Sequence, residues 1–242
     1  MQIIADTHCH TLASDHAYST VMELAQAARE RGLAAIAMTD HGPSMPDAPC
    51  AWHFGNIWSL PRRIHDVIVL KGAEANIMDF DGTLDIEPRV LEHTLDWVVA
   101  SFHGPCCAPG TIEDHTRAYL ALADNPWVDV IGHSGTEDYK YDYERVIPVF
   151  GEKGKIVEIN SHSFAVRAGA PENCRQIALL CKKYRVPVAV NSDAHFALEV
   201  GELSTALTML REIDFPEELI INASLKRLAA YIKEKRGRDI LA

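Results

Sequence analysis

Seven of the chain's twelve histidines stand just past the ends of predicted β-strands, in His8-Cys9-His10, His16, Asp40-His41, His103, His133 and Asp193-Ala194-His195. Active sites of α/β barrels sit at the carboxyl ends of their strands, and imidazoles converging there with carboxylates serve to hold metal ions. His8 and His10, one residue apart on an extended segment, point to the same side and can reach one ion. Cys9 between them turns the other way and is left out of the site. Glu74 follows the third predicted strand and Asp193 the seventh. Seven histidines, one glutamate and one aspartate are too many ligands for one tetrahedral ion, but they suit two or three ions sharing a bridging carboxylate. Any one of these histidines alone reads as a capped or surface residue. The weight lies in their gathering at successive strand ends.

The elements that must position them alternate along the whole chain. Apolar runs at residues 2–5, 35–38, 67–70, 97–100, 128–131, 156–159 and 186–190 have the near-continuous hydrophobicity of parallel strands covered by helices. Thr20-Val21-Met22-Glu23 is a capping box for a first helix that Gly32 stops. Further helices are predicted over 112–123, 143–153, 171–184 and 199–211, with Asn222 or Ser224 capping a last one that runs to about residue 235. Asp81-Gly82, between 76–80 and 83–86, predicts a small hairpin after the third strand. Seven strands with intervening helices make an α/β, distorted seven-stranded (β/α) barrel, TIM-like, and residues 1–242 read as a single catalytic domain.

A formal charge of −11 argues against a nucleic-acid surface; three divalent ions, if bound, would bring it to about −5. No apolar run reaches membrane-spanning length and no charged-then-apolar leader precedes the first strand, so the expected location is the cytoplasm. The six cysteines form no CxxC pair and read as reduced thiols.

Asp6-Thr7-His8-Cys9-His10-Thr11, Thr39-Asp40-His41-Gly42, Gly72-Ala73-Glu74, Ser101-Phe102-His103, Gly132-His133 and Asn191-Ser192-Asp193-Ala194-His195 together resemble the motifs of the PHP (polymerase and histidinol phosphatase) superfamily. Ser14-Asp15-His16, Asp47-Ala48-Pro49 with Trp52-His53-Phe54, and Gly72-Ala73-Glu74-Ala75-Asn76-Ile77 are similar to its YcdX-type phosphatase branch. The resemblance implies a PHP-fold barrel with a trinuclear centre, most often zinc, with manganese or iron as alternatives. By it, His8, His10, Glu74 and Asp193 would hold one ion, His16, His41 and His195 a second, and Glu74, His103 and His133 a third.

The implied reaction is hydrolysis of a small phosphorylated substrate, a phosphate monoester, by hydroxide shared between two cations. Glu74 would bridge, Asp193 would ligate and could accept the water's proton, and Arg167 would clamp the phosphoryl group. Arg62, Arg63 and Lys140 are weaker candidates for that clamp. Trp52-His53-Phe54 could wall the pocket, and His162 could hydrogen-bond a ligand or the substrate. His65, His93 and His115 fall on predicted helices as solvated residues. The competing readings are an amidohydrolase-type enzyme acting on amides or lactones on a similar barrel, and a non-catalytic metal-binding module.

Overall fold

Strands that face helices outside and one another inside must be apolar in both directions, and such segments recur seven times in the computed structural model, which describes residues 1–242. The strands are β1 Ala5–Cys9, β2 Ala35–Met38, β3 Arg63–Ile64, β4 Val67–Asn76, β5 Trp97–Ser101, β6 Val130–Ile131, β7 Ile156–Asn160 and β8 Val188–Asn191. Seven run parallel in the order β1-β2-β4-β5-β6-β7-β8. Two-residue β3, which periodicity could not reveal, pairs antiparallel with the start of β4. The helices are α1 Val21–Glu30, α2 Ala51–Asn56, α3 Pro88–His93, α4 Ile112–Asp124, α5 Tyr143–Glu152, α6 Ser163–Val166, α7 Ala170–Tyr184, α8 Ser204–Glu212 and α9 Leu225–Arg236. No helix is long and apolar enough to cross a membrane.

The expected distorted seven-stranded (β/α) barrel is therefore present, nearly closed. Its distortion lies at the seam between β1 and β8, where one bridge, Cys9 to Ala194, stands in for a ladder. Side chains do the remaining joining. Asn191 Oδ1 accepts from the Thr7 N–H (2.9 Å) and hydroxyl (2.7 Å). Asn222 Nδ2 donates to the carbonyls of Ala5 (2.9 Å) and Val190 (2.7 Å), while its Oδ1 accepts from Val190 N–H (3.0 Å). Asn222 thus acts as a piece of strand rather than a helix cap, and Ser224 caps α9.

Inside, each strand runs from apolar to polar. Ile68 and Leu70 of β4, Trp97 and Val99 of β5, Ile156 of β7 and Ala189 of β8 pack with Leu228 and Ile232 of α9, which plugs the amino-terminal end of the barrel. Two to four residues further along these strands the inward positions turn polar: Glu74, Asn76, Ser101, Glu158, Asn160 and Asn191 are all buried. β1 breaks register between Asp6 and Cys9. This lets Ala5 face the lower core while His8 and His10 face the upper cavity, with Cys9 packed outward beside Leu24 and Met38.

Several expectations shift. β1 begins three residues later than predicted because its buried half is polar, which an apolar-run criterion discounts. β4 continues to Asn76, so Glu74 lies within the strand rather than after it. The Asp81-Gly82 turn forms, with Gly82 at φ +80°, but its arms share only one bridge, Ile77 to Leu84. α8 starts at Ser204 because residues Ala197–Glu199 form a separate single turn. His115 is buried, not solvated: its Nε2 accepts from Gly110 N–H and its Nδ1 donates to Lys140 O, both at 2.8 Å. His65 sits in the β3–β4 turn at φ +50° rather than on a helix.

Candidate metal centre

Glu74 lies at the middle of the upper cavity, fully buried. Its Oε1 faces Nε2 of His133 (2.9 Å), His8 (3.4 Å) and His103 (3.5 Å), and its Oε2 faces Nδ1 of His41 (2.8 Å) and Nε2 of His10 (3.5 Å). Asp193 Oδ1 lies 3.0 Å from His10 Nε2 and 3.5 Å from His8 Nε2. All nine residues singled out in the sequence are brought together here. Three sets converge most closely: His8, His10 and Asp193; His10, His41 and His195; and His41, Glu74 and His103. His16 Nε2 completes the outer group, 2.9 Å from His195 Nε2 and 3.4 Å from His41 Nε2.

Some of these contacts have no proton to share. His16 Nδ1 faces the Asp47 carboxylate and His195 Nδ1 faces the Asp193 carbonyl (2.9 Å), so in the neutral rings both protons sit on Nδ1. The two Nε2 lone pairs therefore point at each other. His103 Nδ1 faces Asn76 Oδ1 (2.7 Å), whose amide is oriented by donation to Gly42 O and Asp85, leaving the His103 Nε2 lone pair aimed at Glu74. His8 is fixed the same way by Glu158 Oε1 (2.7 Å). Buried His8 Nε2, His10 Nδ1, His41 Nδ1 and Glu74 Oε2 have no hydrogen-bond partner. Nitrogens bound to one tetrahedral zinc at about 2.0–2.1 Å lie roughly 3.3 Å apart. Mutually facing acceptors at such spacing fit divalent cations.

The electrostatics agree. Burial, with His41 close by, pushes His10 down to about 3, and burial with Arg167 nearby takes His133 to about 4. Both rings are neutral near pH 7, the form that ligates. His8 moves the other way: burial opposes its charge, but Glu158, Glu74 and Asp193 outweigh burial and raise it well above the usual range. Burial would raise Glu74 and Asp193, yet the surrounding imidazoles hold both well below it. The carboxylates at the middle of the cavity thus stay ionised among neutral His10 and His133.

Backbone geometry presents the candidate ligands. Asp193 adopts φ +56° and His133 φ +24°, left-handed positions uncommon for non-glycine residues. Gly132, just before His133, lies so close to β5 that a Cβ there would overlap the Ser101 hydroxyl and come within 2.7 Å of Val99. In the same way a Cβ on Gly42 would run into the Asp85 carboxylate. Asp40 ties the β1 and β2 loops together: it accepts from Thr11 N–H and hydroxyl (both 2.7 Å) and from Ser14 Oγ (2.9 Å), while Ser14 Oγ accepts from His41 N–H. Burial would raise Asp40, but hydrogen bonds from His53 and Thr11 hold it at about 2.

Sequence reasoning missed Glu158. It lies on β7 between Ile156 and Asn160 at the inward parity, and a carboxylate inside a buried strand was the available signal. Its Oε1 accepts from His8 Nδ1 and Asn191 Nδ2, and its Oε2 from His133 N–H (2.7 Å) and Asn160 Nδ2. Asp47, which faces half-exposed His16, carries no sign of that contact within Asp47-Ala48-Pro49 itself.

The centre opens into a cavity of about 370 Å³ lined by His16, His41, Met45, His103, His162, Val166, Arg167, Asp193 and His195. Arg167 reaches it, with its NH1 2.9 Å from Ser163 Oγ and 3.5 Å from Asp193 Oδ2. The weaker clamp candidates do not. Arg62 is paired with Asp96 at the amino-terminal end of β5, Arg63 is exposed on β3, and Lys140 is paired with Glu137. A larger groove of about 770 Å³ lies over α2 and α3 and contains none of the nine residues. Trp52 and His53 line that groove instead of the centre, Trp52 with 86% of its surface exposed, and Phe54 is buried beneath it.

The PHP domain profile matches residues 6–81 and a PHP-associated profile matches residues 171–236. A protein of Acetivibrio thermocellus named a probable phosphatase is 44% identical over 98% of this chain and 98% of its own length. One of Clostridium novyi, also named a probable phosphatase, is 44% identical over 97% of this chain and 96% of its own. In structure the chain is similar to the histidinol phosphate phosphatase of Lactococcus lactis, solved with zinc, L-histidinol and phosphate, at a TM-score of 0.57 and 17% identity over 88% of this chain and 94% of that one. Motifs, barrel and near-full-length relatives coincide, and the chain belongs to the PHP family.

Proposed function

We propose that the chain is a metal-dependent phosphatase that hydrolyses phosphate monoesters at a centre of three divalent cations. The observation that carries this is the set of imidazole lone pairs on His16, His195 and His103, fixed by Nδ1 partners, of which the first two point at each other and the third at Glu74. His8, His10, Glu74 and Asp193 would hold the first ion, His16, His41 and His195 the second, and Glu74, His103 and His133 the third. Zinc suits a site rich in imidazole, and the Lactococcus lactis neighbour was solved with it. When bound, such ions lower the pKa of a shared water towards ~7 and neutralise phosphoryl oxygens.

The chain's own groups do the rest. Glu74, whose two oxygens face different imidazoles, would be shared between two of the ions. Asp193 Oδ1 is turned to His10, and its Oδ2 accepts from Asn160 Nδ2 (3.0 Å) and faces Arg167, so ligation rather than proton acceptance is its role. Arg167, at the cavity wall, clamps the phosphoryl group with its fork of donors. Related proteins named phosphatases and a phosphate-bound structural neighbour support this reaction class over amide or lactone hydrolysis.

The test is elemental analysis of the purified protein alongside turnover of aryl phosphates, amides and lactones. About three ions per chain and chelator-sensitive monoesterase activity are expected. Metal-free protein, or activity confined to amides or lactones, would overturn the reading.

A further inference from the structure

His162, by its sequence position a candidate to hydrogen-bond a ligand or the substrate, takes no part in the contacts around Glu74. It follows β7, at the amino-terminal end of α6, and lines the cavity of about 370 Å³ together with Arg167. Its backbone is held firmly: Ser163 N–H donates to Asn160 Oδ1 (2.9 Å), and Ala165 and Val166 N–H groups donate to the His162 carbonyl (3.0 and 3.3 Å). Its ring stacks over that of His195, centroids 6.1 Å apart and planes 29° apart. That contact places the ring beside the outer part of the centre.

Unlike His41, His103 and His195, His162 joins none of the converging sets of ligand atoms, and unlike His16, whose ring faces Asp47, His41 and His195, its ring is hydrogen-bonded by no protein group. The cavity otherwise offers imidazoles already turned to the centre, the Asp193 carboxylate, and apolar Met45 and Val166. Arg167 and His162 line it outside those sets, with side-chain N–H groups left to give. They leave opposite ends of the one-turn helix α6, whose Ser163 hydroxyl steadies Arg167.

A transferring phosphoryl group spreads its charge over three equatorial oxygens. A guanidinium fork engages a planar pair of acceptors and leaves another oxygen to be met. The volume, within the range of small-molecule sites, accommodates a phosphoryl group with a small alcohol portion.

We propose that His162 is a substrate-contacting residue that donates a hydrogen bond to the phosphoryl group beside Arg167, so that α6 forms a two-armed anion clamp. This rests on the reading of the centre as a phosphatase site. It assigns to His162 a contact with substrate and not with metal.

The experiment compares wild type, His162→Ala and His162→Gln as metal-loaded proteins. The probe is inorganic phosphate, titrated calorimetrically and as an inhibitor of aryl phosphate hydrolysis, with metal content measured on the same samples. A charge-assisted hydrogen bond predicts that phosphate binds about tenfold more weakly to His162→Ala, with KM rising in parallel, metal content unchanged, and binding largely recovered in His162→Gln through its amide N–H.

Phosphate affinity within twofold of wild type in His162→Ala would overturn the proposal. So would loss of metal from that variant, which would make the ring a ligand. Absence of monoester turnover in the wild type defeats the phosphatase reading, whereas the calorimetric comparison decides the role of His162 by itself. A wild type that binds no phosphate removes both.

Discussion

Replacing Glu158 by glutamine alters one terminal atom, yet the surroundings leave no place for the amide nitrogen. Glu158 Oε1 receives His8 Nδ1 at 2.7 Å and Asn191 Nδ2 at 2.9 Å; Oε2 receives His133 N–H at 2.7 Å and Asn160 Nδ2 at 3.2 Å. Burial would raise this carboxyl, but His8 beside it holds it below the ordinary range, so it is ionised and accepts from all four. An amide nitrogen at the Oε2 position opposes a backbone N–H that has no other partner. At the Oε1 position it forces His8 to accept through Nδ1, which moves the ring proton to Nε2, the atom turned to Glu74. Either arrangement forfeits at least one charge-assisted hydrogen bond, about 1.5–3 kcal/mol. Partners that orient metal ligands are worth about 10–100-fold in metal affinity, or roughly 1.4–2.7 kcal/mol. Competition with a chromophoric chelator, following release of each ion, measures this directly. Tenfold or greater weakening of the ion held by His8 and His10 is expected for E158Q. All affinities within twofold of wild type would refute the orienting role.

Other consequences can be measured alongside. Asp47→Asn removes the anionic partner of half-exposed His16, so the outer ion should exchange with chelator sooner while the inner two are retained; equal loss of all three would contradict this. Arg167→Ala should weaken inorganic phosphate binding by about tenfold or more with metal content unchanged, and an unchanged phosphate affinity would remove the clamp. Asp40 titrates at about 2 in the folded chain against an ordinary 3.8. Its contribution is therefore complete above about pH 4 and is lost as pH falls towards 2. Urea unfolding of metal-free protein should show Asp40→Asn less stable by about 2 kcal/mol at pH 6, the gap narrowing below pH 4; a gap independent of pH would be inconsistent.

What could be read from the residues alone was set by parity and company. His8-Cys9-His10 announces two candidate ligands and an outward thiol, and the structure places Cys9 in the outer core as alternation requires. Glu74 follows Ile68, Leu70 and Gly72 at a spacing of two, so its inward direction was implicit in the strand. Glu158 obeyed the same rule between Ile156 and Asn160 and went unread, because attention to strand ends passed over a carboxylate within a strand. Asp47 and Asn222 were not legible in these roles. Asp47 meets His16 across two loops, and Asn222 fills a seam between strands from opposite ends of the chain, so each acts through tertiary contacts that local pattern does not encode. His115 misled because a histidine on a helix is commonly solvated, whereas here two backbone partners satisfy both ring nitrogens.

Anomalous diffraction from crystals of the protein purified without chelator, with data on both sides of the metal absorption edge, addresses the central claim most directly. Three peaks are expected around Glu74, each about 2.0–2.2 Å from its assigned imidazole and carboxylate atoms. A cavity with no peak, or peaks coordinated by other residues while these nine side chains bond to water alone, would contradict it.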